Sequence, residues 1–195
     1  MAPDVRPLTG GDLRAALPQL ADLRIAVFRD WPYLYDGDAE YEQAYLAPYA
    51  DNPAACVIGA FDGSRLVGAA TALPLADHAD DFSAAFAGSG TDPAGLWYCA
   101  ESVLQPDYRG QGIGHRFFDL REAQGRALGF NVACFCAVTR PRDHPARPRH
   151  ARSLHPFWRA RGYAPVAGAV AQFSWRDIGD TEETTKPLQF WMRDL

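Results

Sequence analysis

The chain has 195 residues, of which 48% are hydrophobic, 22% charged and 12% aromatic. These proportions exclude disorder, collagen-like fibres and repeat arrays, and the length suits one domain, 1–195, burying roughly two-thirds of its unfolded surface. A net charge of −5 and a pI near 5.5 argue against a nucleic-acid binder, which carries a basic face, and favour a cationic ligand over an anionic one.

In chain order, Asp4 to Leu8 reads as an edge strand, because Pro7 removes a ladder donor. Leu13, Leu17, Leu20, Leu23 and Val27 recur at helical spacing and predict a helix to about Phe28, with Asp12 as N-cap. Arg29 to Tyr49 mixes aromatics and acids and predicts a loop and a short second helix that ends before Pro53. Ala55–Phe61 and Arg65–Leu73 flank Asp62-Gly63-Ser64 as a hairpin would. Pro74 to Gly95, rich in small residues, predicts an insertion with one loose helix. Leu96–Leu104 is a β-prone run, followed by a glycine loop and a helix through Phe117, Leu120 and Ala127 to a cap at Gly129. Asn131–Val138 reads as a strand, Thr139–Arg152 as a Pro-, Arg- and His-rich loop, and Ser153–Gly162 as a short helix. Ala169–Trp175 and Leu188–Arg193 alternate as an antiparallel pair. The order predicts one α+β domain with a parallel strand–helix–strand unit at 96–138.

Cys56, Cys99, Cys134 and Cys136 fall in apolar runs without the spacing of a disulfide framework, and no CxxC pair is present. Cys134 and Cys136 share one strand face. Core packing is the plainer role for them, an acyl-cysteine or metal role the sharper one, and no ligand spacing supports a metal site. No leader pattern is visible and no apolar run reaches about 18 residues, so a reduced, cytoplasmic protein without membrane contact is expected.

The chemistry concentrates at Arg109-Gly110-Gln111-Gly112-Ile113-Gly114, between a strand and a helix. Closely spaced glycines let backbone N–H groups converge, and the helix adds unsatisfied donors and its positive dipole end. That combination suits a phosphate or pyrophosphate. A Walker A loop would need Gly-Lys-Ser/Thr, and a dinucleotide fingerprint two more residues before its last glycine; neither is present. A bare structural turn remains open on the glycines alone.

With its flanks, Val103-Leu104-x-Pro106-x-Tyr108-Arg109-Gly110-Gln111-Gly112-Ile113-Gly114 resembles the acyl-CoA-binding motif of the GNAT N-acetyltransferase superfamily. The pattern Arg/Gln, two residues, Gly, one residue, Gly or Ala falls on Arg109, Gly112 and Gly114. A second family element falls on Phe157-Trp158-Arg159-Ala160-Arg161-Gly162-Tyr163. The resemblance implies a mixed, mostly antiparallel twisted sheet flanked by helices around a central CoA-binding strand–helix–strand unit. It implies acetyl-CoA as donor, held by amides of Arg109, Gly110, Gln111, Gly112, Ile113 and Gly114, and direct transfer to an amine. It further implies that the strand ending at Val103 and Leu104 diverges from Asn131–Val138, and that one of those two amides supports the developing oxyanion. Homodimers through the last strands are common in the family. Many members carry a tyrosine general acid where this chain has Trp158, and Tyr163 is expected in the core.

Glu101, a carboxylate inside an apolar run, is expected to serve as general base or to pair with an arginine such as Arg140 or Arg159. The basic loop Arg140–Arg152 is either solvated or close to the CoA 3′-phosphate. Trp31, Tyr35, Asp36 and Asp38, in the aromatic and acidic stretch, are the candidate acceptor contacts, since ring faces and carboxylates suit a cation. The expected activity is acetyl transfer from acetyl-CoA to a primary amine. The rivals are a CoA-binding sensor without catalysis and a relative that transfers a myristoyl or aminoacyl group.

Overall fold

The computed structural model describes residues 2–78, 82–87 and 89–195. Eight strands form one mixed sheet: β1 (Asp4–Leu8), β2 (Cys56–Asp62), β3 (Arg65–Pro74), β4 (Leu96–Tyr98), β5 (Ser102–Leu104), β6 (Val132–Val138), β7 (Ala164–Arg176) and β8 (Glu183–Asp194). Their order is β1-β2-β3-β4-β6-β8-β7, with β5 also on β3. Among the described residues only β4 and β6 run parallel, joined by the crossover helix α3 (Ile113–Ala127). The helices α1 (Gly10–Phe28) and α2 (Ala39–Asp51) pack together, and α4 (His155–Ala160) follows β6.

Local sequence explains most of these boundaries. Helix α1 begins earlier than Asp12, with Thr9 as its extended N-cap, and Asp12 sits in the first turn against Arg6 at 3.3 Å. Helix α2 is longer than expected. Asp38 caps it, its side chain accepting from the Tyr41 N–H at 2.9 Å. In the stretch 74–95 the described residues include three short 3₁₀ turns, and Leu75, Phe82 and Phe86 are buried in the core. Residues 79–81 and 88 of that stretch lie outside the described residues.

The run read as one strand, Leu96–Leu104, carries one extra residue. β3 takes three steps from Ala70 to Leu73, while the facing chain takes four from Ser102 back to Tyr98. Such a bulge bends the strand and re-aims side chains. On its β4 side the chain pairs with β6 over Leu96↔Val132, Trp97↔Ala133 and Tyr98↔Cys134. Beyond it, β5 stays on β3 while β6 continues beside β8, so the two parallel strands part. Arg121 of α3 fills the bend. Its Nη1 donates to the carbonyls of Thr71 (3.2 Å) and Glu101 (2.9 Å), and its Nη2 to Ser102 Oγ (2.9 Å).

Helix α3 is seated by shape. The fully buried Trp97 indole donates to the Arg121 carbonyl at 2.9 Å, and its ring lies where a Cβ on Gly125 would fall, 2.7 Å from Trp97 Cδ1. At the far end of the sheet, Asp177 is the hub of a second tie. Arg140 donates to both its oxygens at 2.7 and 2.9 Å, and Lys186 stands 3.0 Å away. Arg140 also donates to the carbonyls of Pro32 and Tyr33, so the α1–α2 connection is fastened to β7 and β8.

Two outcomes test these ties. Gly125→Ala gains helix propensity, yet overpacking against an immobile ring should lower stability by about 1–3 kcal/mol, read from the urea midpoint. Burial alone would push the Asp177 carboxyl up, but the hydrogen bonds and charges of Arg140 and Lys186 outweigh it and hold it below the usual carboxylate range. A depressed folded value stabilises above the unfolded pKa, near 3.9, and the gain is lost as pH falls through the folded value. Asp177→Asn should therefore melt below wild type at pH 7, and that gap should narrow steadily on acidification below about pH 4.

Candidate active site

A cavity of about 580 Å³ lies between the α1–α2 pair and the strands β4, β6, β7 and β8. Its charged wall is Arg24, Glu42 and Glu101, all buried. Arg24 Nη1 stands 2.6 Å from Glu101 Oε1, and its Nε donates to Glu42 Oε2. The guanidinium also lies over Tyr45 (4.2 Å) and Phe28 (5.1 Å). Formally the trio keeps one net negative charge. Burial works against the Arg24 charge, but Glu101, Tyr45 and Glu42 more than reverse it and hold the guanidinium protonated.

Glu101 thus pairs with Arg24, not with Arg140 or Arg159. Its second oxygen accepts from the Tyr45 hydroxyl at 3.3 Å. Burial, then the Glu101 charge, pushes the Tyr45 hydroxyl well above the ordinary range, and burial, then Cys136, does the same for Tyr98. Both stay donors at neutral pH. Burial also pushes the Cys136 thiol up to about 12 and Cys134 well above its usual range, which disfavours thiolate chemistry there. Among the described residues, no group of three or more His, Cys, Asp or Glu side chains is placed to hold a metal ion.

The expected acceptor residues divide. Tyr35, Asp36 and Asp38 line the cavity; Trp31 is not in its lining and packs on the His144 ring at 5.3 Å. Asp36 is paired with Arg176 at 2.8 Å, and Asp38 is occupied as the cap of α2. Trp158 packs on Phe135 and Trp191, and Tyr163 is buried with its hydroxyl donated to Glu122 at 3.0 Å, in the core as expected. Arg140 is half-buried and tethered, while Arg142, Arg147, Arg149 and Arg152 are exposed.

Arg24 and Glu42 had a readable signal. Arg24 stands one turn after Leu20, on the buried stripe of α1, where an unpaired charge would be costly.

The glycine loop is built as an open cradle. Pro106–Tyr108 makes a 3₁₀ turn, Gln111 donates back to the Asp107 carbonyl at 3.0 Å, and Gly110 and Gly112 hold φ of 76° and 82°. Nothing lies within 4 Å of where a Cβ on either glycine would stand. The first-turn N–H groups of α3 have no carbonyl one turn earlier within the helix. Gly114 approaches Phe157, and the Ile113 side chain is buried. Arg109 turns toward the strand, donating to the Leu104 carbonyl at 3.2 Å, with Asp30 at 4.0 Å.

Ladder alternation decides which strand amides face the gap. The Thr71 N–H donates to Glu101, and the Gln105 N–H to Val67, so Val103 between them belongs to the ladder with Ala69. Leu104 and Ser102 present their backbone groups to the side that β6 has left. Of the two amides expected there, Leu104 supplies one and Val103 does not. The cavity lies next to the parting, lined by Tyr98, Ala100 and Glu101 from one side and Cys136 from the other.

No curated protein is similar enough in sequence to match the chain. Solved structures share its fold at low identity. An aminoglycoside 6′-N-acetyltransferase complexed with coenzyme A is 16% identical with a TM-score of 0.61, over 98% of this chain and 96% of that one. The Drosophila melanogaster polyamine N-acetyltransferase, which forms N-acetylagmatine, is 14% identical with a TM-score of 0.60, over 98% and 100%. The PaiA N-acetyltransferase of Thermoplasma acidophilum, in complex with coenzyme A, is 13% identical with a TM-score of 0.56, over 100% of both chains. The family described as "Acetyltransferase (GNAT) family" matches residues 20–164, about three-quarters of the length. The chain belongs to the GNAT acetyltransferase family, and with it to the acyltransferases.

Proposed function

We propose that this single-domain chain is a cytoplasmic N-acetyltransferase that moves the acetyl group of acetyl-CoA to a primary amine by direct attack in a ternary complex. One juxtaposition carries the reading: the strand that lends Glu101 to the cavity wall leads, three residues on, to the Leu104 edge that β6 has left and to the glycine loop. The two solved relatives with coenzyme A bound support the donor. Four free thiols suit a reducing compartment.

The residues present fit such a donor. Amides from Gly110 to Gly114 would hold the pyrophosphate, with Arg109 beside them, and Ser102 and Leu104 would pair with the pantetheine arm. Acetyl-CoA supplies an acyl group activated as a thioester. The Leu104 N–H faces the side where negative charge develops on the carbonyl oxygen, an arrangement that lowers the barrier only while water is excluded. The amine lone pair forms the new C–N bond as the C–S bond breaks. Its electron pair leaves on sulfur, which takes a proton from water, while Glu101 accepts the proton that the amine gives up. Arg24 and Tyr45 hold the Glu101 carboxylate in place for that transfer.

A second reading, acyl-CoA binding without turnover, is favoured by Trp158 at the usual tyrosine position and by Tyr163, whose hydroxyl is donated to Glu122. Thiol release from acetyl-CoA with a panel of amines separates the two. Binding with no turnover in any arm would select the sensor.

Gly112→Glu puts a carboxylate into the cradle. Open space surrounds the position, so the fold should lose only the cost of an L-residue at positive φ, about 1–2 kcal/mol. Acetyl-CoA affinity by calorimetry should fall at least about a hundredfold, as like charges meet, while Gly112→Asn, uncharged and tolerant of that φ, loses far less. Unchanged affinity in a folded Glu variant would remove the loop from the donor site.

Glu101→Gln leaves Arg24 paired with Glu42, so the cavity wall becomes neutral and stays folded. Only about one alkylamine in two thousand is free base at pH 7. The Gln variant should lose at least about tenfold in kcat, with acetyl-CoA affinity nearly unchanged, and recover part of it by pH 9. Wild-type kcat across pH 6–9 would leave Glu101 a purely structural partner of Arg24.

A further inference from the structure

The cavity has two unlike faces. Opposite the charged wall, Phe82, Tyr98, Phe173 and Leu188 form a floor of rings and aliphatic surface. Phe82 meets Tyr98 at 4.8 Å and Phe173 at 5.2 Å, tilted by 56° and 46°, so the three rings form one continuous aromatic cluster. No charged side chain belongs to this floor. We propose, resting on the acetyltransferase reading above, that the acceptor is an arylalkylamine: one ammonium on a short stem attached to a flat aromatic body.

The wall and the floor each exclude an alternative. Arg24 already occupies the slot between Glu42 and Glu101, leaving one net negative charge for an incoming ammonium. A linear polyamine reaching across the cavity would bring its second ammonium onto the ring floor, away from any carboxylate. The remaining acids of the lining, Asp36, Asp38 and Glu183, stand toward solvent, where Asp36 is paired with Arg176, Asp38 caps α2 and Glu183 is exposed. A polyhydroxylated aminosugar would lose water from its hydroxyls against the same rings, with few partners to replace it. A planar apolar body finds edge-to-face and offset contacts instead, in a volume suited to a small ligand.

Steady-state rates with acetyl-CoA should rank 2-phenylethylamine at least about tenfold above propylamine and above spermidine and kanamycin in kcat/KM. Phe173→Ala should shrink the phenylethylamine-to-propylamine ratio by at least about fivefold through the KM for phenylethylamine, with Phe173→Leu as the milder variant if the alanine chain melts early. Equal or better rates with spermidine, kanamycin or propylamine would overturn the assignment. Should no amine be turned over, calorimetry on the CoA-loaded protein decides instead. Phenylethylamine binding at least about tenfold tighter than propylamine upholds the ring floor while the catalytic reading fails; equal or weaker binding overturns it.

Discussion

The guanidinium of Arg121 adds a second donor to two ladder carbonyls at the centre of the sheet. Where the chain gains one residue between Tyr98 and Ser102, the Thr71 carbonyl accepts from the Ala100 N–H and the Glu101 carbonyl from the Thr71 N–H, and each keeps a second lone pair in the buried bend. Arg121 answers the carbonyls of Thr71 and Glu101 and the Ser102 hydroxyl at one point. Its own carbonyl accepts from Trp97, the ring against which Gly125 seats the helix. The bend of the strand, the seat of α3 and the approach of the glycine loop are therefore one arrangement. Glu101 reaches the cavity because its backbone is pinned there.

Two buried ionic groups of opposite balance stand around the cavity. Arg24 serves two carboxylates, and Asp177 serves two cations. Buried pairs of this kind add little net stability compared with a well-packed apolar core, whereas removing one partner is strongly destabilising. They fix geometry. The first keeps α1, α2 and the bulge in register; the second keeps the α1–α2 connection on β7 and β8. Between them they hold open a space that the hydrophobic effect alone would tend to collapse.

The parts legible in sequence were those with local rules. Gly110, Gly112 and Gly114 announce a turn into a helix because positive φ and bare backbone are glycine properties. Alternation and helical spacing placed the strands and α1, α3 and α4. The extra residue in Leu96–Leu104 was invisible, because one added step inside an apolar run leaves its composition unchanged. The partner of Glu101 was missed since ion pairing joins residues from distant segments, although Arg24 stands in step with the buried leucines of α1. Pro74–Gly95 misled in the other direction. Its small residues suggested an insertion, whereas Leu75, Phe82 and Phe86 close the core.

The parallel seam between β4 and β6 extends over only three residue pairs. On one side of it lie β1, β2, β3 and β5, and on the other β6, β8 and β7, so the sheet is two half-sheets that share a short common border. A ligand lying along the edge of Ser102 and Leu104 would extend that border as a surrogate strand, joining halves that the polypeptide itself leaves apart. Such a ligand finds no binding surface on the unfolded chain, so its occupancy and the cohesion of the fold become one thermodynamic quantity, rising as RT ln(1 + [L]/Kd). The molecule would then be most cohesive when charged with donor, and loosest just after the spent thiol departs.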